Sequence, residues 1–107
     1  MRVLSLRPYH GEIWLTESLK ELAALYKKQT GSKYPYHDDP NGGRYVKIEH
    51  GHAMETVWLI FAATPHALAH EFSHVLLHTF LLIGHDPREG DGEPFCYMLS
   101  QLLLEAQ

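Results

Sequence analysis

His70-Glu71-Phe72-Ser73-His74 sets two imidazoles four residues apart, with a carboxylate beside the first. Residues four apart on a helix lie one above the other on the same face, so this pair can grip one tetrahedral ion. Glu71 then stands where it can take a proton from a water that the ion polarises. Zinc and hydrolysis are the ion and the chemistry this pattern predicts, although iron, manganese or nickel accept the same ligands. The motif belongs to a composition with one anomaly: nine histidines in 107 residues, as many as Lys and Arg combined. Histidine is the commonest metal ligand and the proton carrier of neutral pH.

A catalytic zinc usually takes three protein ligands and leaves one position for water. His66 and His78 extend the same helical row, but His70 and His78 are about 12 Å apart along a helix, far beyond a metal–nitrogen bond of about 2 Å. His66 and His78 are therefore expected around the site rather than on the ion. Downstream candidates for the third ligand are His85, Asp86, Glu89, Asp91 and Glu93. Glu93 follows His74 after 18 residues and opens the next helix, where the positive end of the dipole favours a carboxylate. An antiparallel helix pair joined by residues 85–92 is expected to return Glu93 to His70 and His74, with Asp91 and His85 as alternatives. The charge that develops on a carbonyl oxygen needs a further donor. Tyr97, one turn beyond Glu93, and His78 are the candidates.

These residues need elements to hold them. Thr64 is a good N-cap, Pro65 suits the first helical turn and Gly84 follows the last apolar residue, so a helix is expected over 65–83. A last helix from about Pro94 should bury Phe95, Met98, Leu99, Leu102 and Leu103. Before the motif, residues 44–49 and 55–61 alternate and read as a hairpin with its turn at His50-Gly51-His52. Residues 32–43 form a long polar loop. Ser18 and Glu21 make a capping-box pattern for an earlier helix that Gly31 ends. The first residues, from Val3 to Leu15, read as a strand that Pro8 and Gly11 interrupt. The order β-α-β-β-α-α makes an α+β fold in one domain spanning 1–107.

Composition narrows the function classes. A formal net charge of −4 gives no electrostatic footprint for nucleic acid, so none is expected as a partner. The longest apolar runs, 57–63 and 75–83, are far short of a membrane span, and residues 1–7 lack the apolar core of a signal peptide. A lone Cys96 makes no internal disulfide. No membrane association is expected.

The pattern His70-Glu71-Phe72-Ser73-His74, followed after 18 residues by Glu93, resembles the gluzincin branch of zinc metallopeptidases. From Trp58 to Leu103 the chain is similar to small phage-encoded zincin-like proteins, through Ile83-Gly84, Asp91-Gly92-Glu93 and Tyr97-Met98-Leu99. That resemblance implies a minimal zincin-like domain with His70, His74 and Glu93 on zinc and Glu71 as the general base. It also implies a peptide or protein substrate and a location in the host-cell cytoplasm or the virion. Larger gluzincins often carry an Asp four residues after the ligand Glu, where this chain has Tyr97. The metzincin pattern would need Gly at 77 and His at 80, where the chain has Leu77 and Phe80. Residues 88–96 are also similar to a loop of SprT-like (Spartan-type) proteases, which carry a ligand histidine about where Asp91 falls. A non-enzymatic alternative uses the same pair: a zinc-stabilised virion component, or a module that binds and inhibits a host protein.

Overall fold

The computed structural model describes residues 1–50 and 55–107. Strands β1 (Arg2–Ser5) and β2 (Glu12–Leu15) precede helix α1 (Leu19–Thr30). Strands β3 (Gly43–His50) and β4 (Glu55–Ala62) lead into α2 (Pro65–Leu82), and α3 (Glu93–Glu105) follows a tight turn at Glu89–Gly92. The strands form one mixed sheet in the order β1-β2-β4-β3, with β2 and β4 parallel and the other pairs antiparallel. The protein is an α+β fold, as expected. The expected turn at His50-Gly51-His52 runs into residues 51–54, outside the described residues, but the β3–β4 hairpin pairing is present through His50 and Glu55.

The opening stretch is two strands rather than one interrupted strand. Tyr9 N–H donates to the Leu6 carbonyl at 2.8 Å and Leu6 N–H to the Gly11 carbonyl at 3.2 Å, which closes a turn. Gly11 has φ 108°, and a Cβ there would lie 2.9 Å from the Thr56 carbonyl oxygen, so the turn needs glycine. The break read at Pro8 and Gly11 is the hairpin itself.

Strand β4 explains the layering. Its alternate residues Val57, Leu59 and Phe61 face α1, where Leu22 is buried among them. Trp58 and Ile60 face the opposite layer and pack with Phe72, Val75 and Leu76 of α2. The period-2 alternation of a strand thus feeds two cores from one segment. Helix α3 covers the same layer, and Phe95, Met98, Leu99, Leu102 and Leu103 all pack into it as expected.

The caps on α2 follow from the residues that flagged them. Thr64 Oγ1 accepts from Ala67 N–H at 3.0 Å, and Pro65 occupies the first turn. At the other end Gly84, at φ 72°, lets His85 N–H reach the Phe80 carbonyl at 2.9 Å and Gly84 N–H reach that of Leu81 at 3.2 Å. This is a Schellman closure. The end of α3 is tied to β1: Arg2 donates to the Ala106 carbonyl at 2.5 Å and to that of Glu105, placing a cation where the helix dipole is negative. Among the described residues no helix is long and apolar enough to cross a membrane.

Candidate metal centre

Helix α2 packs on the sheet, and its His74 and His78 meet Tyr45 of β3, one of the two edge strands. His70 and His74 meet with their Nε2 atoms 3.1 Å apart and their rings at 79°. Two nitrogens on one tetrahedral zinc, each about 2.0–2.1 Å from it, stand about 3.3 Å from each other. The pair is thus set at a spacing that fits one ion, and equally one hydrogen bond between a protonated and an unprotonated nitrogen. His70 is exposed and His74 half-buried.

Glu71 turns into the protein, against the start of β3. It is only 6% exposed, and its Oε2 is buried with no hydrogen-bond partner among the described residues. Burial pushes its carboxyl up from the ordinary range; the His70 and His74 imidazoles and the Arg44 guanidinium pull it back, and Asp38 adds to the rise. A buried carboxylate oxygen left without a partner is costly, and one made more basic by its surroundings is a better proton acceptor.

The first residue of β3 makes room for that carboxylate. A Cβ on Gly43 would sit 3.0 Å from Glu71 Cγ and 3.2 Å from the Phe61 carbonyl oxygen. Gly43→Ala is therefore expected to shift the Glu71 side chain and to lower stability by about 1–3 kcal/mol, as overpacking does. Urea unfolding measures this, and a midpoint equal to wild type would show that the contact is looser than it stands here. The next residue, Arg44, is fixed from the α1 side of the sheet. Its Nε donates to Asp38 at 2.6 Å, its guanidinium lies 4.4 Å from the Tyr36 ring centre, and the Tyr34 hydroxyl donates to the same Asp38 carboxylate.

Tyr45 then returns to the α2 side. Its ring stacks on His74 at 4.7 Å and 21°, and contacts His78 at 5.8 Å and Trp58 at 6.1 Å. His78, one turn past His74, lies 5.5 Å from the Trp58 ring. His66 is exposed at the start of the helix.

No described protein-family model, curated protein or solved structure matches this chain.

The remaining candidates sit elsewhere. Among the described residues no group of three or more His, Cys, Asp or Glu side chains is assembled to hold an ion. Glu93 shares a surface depression with Pro8, Tyr9 and Tyr97, and the Phe95 ring packs 5.8 Å from Phe80. The reason is geometric. An antiparallel helix after a short connection starts beside the last turns of its predecessor, and Phe80 lies about 9 Å along the axis from His74. The helix pairing was expected, but it does not return Glu93 to His70 and His74. Tyr97 is 72% exposed on α3 and lies with Glu93, not with the imidazole pair. The loop candidates are engaged locally. His85 stacks on Phe80 at 4.9 Å and lies 3.3 Å from Glu89, while Arg88 hydrogen bonds hold the Asp86 carboxyl down at about 2. Asp91 is exposed in the turn, at φ 58°.

The alternation of residues 44–49 gives Tyr45 one face of its strand but no task. The signal was available in the hairpin register. Tyr45 pairs with Ile60, and Ile60 faces α2. Gly43 carried a fainter signal, a glycine opening an alternating strand.

Proposed function

We propose that this protein is a zinc-dependent hydrolase of peptide bonds and that His70 and His74 hold the metal. The observation that carries the reading is the 3.1 Å approach of the two Nε2 atoms beside a buried carboxylate oxygen that has no partner among the described residues. Zinc, when bound, supplies Lewis-acid polarisation of a water and of the substrate carbonyl. Glu71 accepts the proton that the attacking water loses and delivers it to the nitrogen of the leaving amine. Gly43 leaves the space in which the carboxylate can do so. Strand β3 is an edge of the sheet next to the pair, and its outward backbone groups suit an extended peptide laid alongside.

A second reading keeps the metal and drops the turnover. His70 is exposed, so an ion on the pair can also take ligands from a partner protein, as a zinc-stabilised binding module would.

The test starts with elemental analysis of protein purified without a His-tag. About one zinc per chain is expected, and saturation at a hundredfold excess over Kd should stabilise the fold by about 2.7 kcal/mol. His70→Ala should lose both the metal and the stabilisation. If His70→Ala matches wild type in zinc content and in melting temperature, both readings fall. Zinc uptake with no cleavage of any peptide in a mass-spectrometric survey favours the binding module.

A further inference from the structure

Helical spacing brings the Cβ atoms of His70 and His74 to one face, but it leaves the ring planes undetermined. The last torsion of a histidine side chain joins an sp³ to an sp² carbon, and its preference is broad. A ligand ring free to turn must be ordered when an ion binds, and that ordering weakens the binding. The structure shows what removes the freedom at one of the two rings. Tyr45 lies nearly parallel to His74, 4.7 Å away and at 21°, and covers one face of the imidazole. Tyr45 is itself held from behind by Trp58, which is 1% exposed and contributed by the neighbouring strand β4. His78 closes the side towards the end of α2, in contact with both Tyr45 and Trp58. His74 thus rests on rings anchored in the sheet. Among the described residues the only ring against exposed His70 is that of His74.

We propose that Tyr45 is a positioning residue for His74: its ring fixes the imidazole plane so that Nε2 faces Nε2 of His70. The inference rests on the zinc reading above and adds the device that prepares the site before metal arrives. His74 is the fixed arm of the pair, and His70 the arm that adjusts. Contact is made through the ring face, so phenylalanine preserves it and leucine does not.

Zinc(II) titration of the full chain tests this in wild type, Tyr45→Phe and Tyr45→Leu. Loss of support behind a ligand histidine typically costs about 10–100-fold in metal affinity, and that is the rise in Kd expected for Tyr45→Leu. Tyr45→Phe should keep wild-type affinity, and Tyr45→Leu should keep a cooperative thermal unfolding transition, so that its lost affinity is not lost fold. A second measurement needs no variant. In the zinc-free wild type, the stacked Tyr45 ring should move the His74 ring protons upfield of those of His66 in the proton NMR spectrum. Wild-type affinity in Tyr45→Leu, or His74 ring protons at the position of an exposed histidine, overturns this inference and leaves the zinc reading standing. A wild-type protein that takes up no zinc overturns the reading beneath it.

Discussion

Glu71→Gln should leave a folded, zinc-loaded protein that no longer cleaves peptides. Glutamine keeps the shape of the side chain and its packing against Gly43 but cannot accept a proton. General acid–base catalysis contributes about 10²–10⁴-fold, so cleavage should fall by that factor. Zinc content should stay at the wild-type value, because the proposed ligands are the imidazoles on either side. Stability should hold or rise. The buried Oε2 has no partner among the described residues, and neutralising the group relieves the desolvation that pushes its carboxyl up. Elemental analysis, thermal unfolding and a peptide-cleavage assay on one preparation check all three. Turnover within a few fold of wild type would remove Glu71 from the chemistry, and loss of zinc would give it a part in holding the metal.

Phe72→Ala is expected to come close to unfolding the protein. Phe72 is 0% exposed and packs between α2 and the sheet with Trp58, Ile60 and Leu102. Truncating a fully buried Phe typically costs about 3–5 kcal/mol, against a total stability of roughly 5–15 kcal/mol for a domain. For a chain of this size that corresponds to a fall in melting temperature of about 12 °C or more. Leu81→Ala, four turns into the same helix but 67% exposed, should change little and serves as the control. A Phe72→Ala midpoint within about 1 kcal/mol of wild type would contradict the packing described, since it would sit in the range of surface substitutions.

Local chemistry made much of this fold legible. Thr64, Pro65 and Gly84 announce α2 because caps satisfy backbone groups that the helix itself cannot, and all three act in the expected way. The five apolar residues assigned to the core side of α3 follow from helical period alone. Pro8 and Gly11 were equally visible, but an interrupted strand and a hairpin share the same local pattern. Antiparallel pairing of β1 with β2 distinguishes them, and no local feature announces it. The candidate site divides along the same line. His70, Glu71 and His74 are neighbours through one helix, so spacing was enough to unite them. Glu93 depended on how far along α2 the returning helix begins, which connection length and packing decide. Tyr45 and Gly43 come from another strand, and only the register that sets Tyr45 against Ile60 turns them to the motif.

The parallel pairing of β2 with β4 has a kinetic consequence. Glu12 pairs with Val57, so a large loop must close before the two strands meet. Such non-local contacts make a chain fold slowly compared with a helical bundle, whose contacts are local. Helix α2 can reach its spacing of imidazoles within the time of a helix–coil transition, on the order of a microsecond. Its ring stack on Tyr45 and the burial of Glu71 against Gly43 must wait for the sheet. Of the two pairings that β4 makes, the antiparallel one with β3 is local and carries Tyr45 and Gly43 to the motif, and the parallel one with β2 is the pairing expected to be slow.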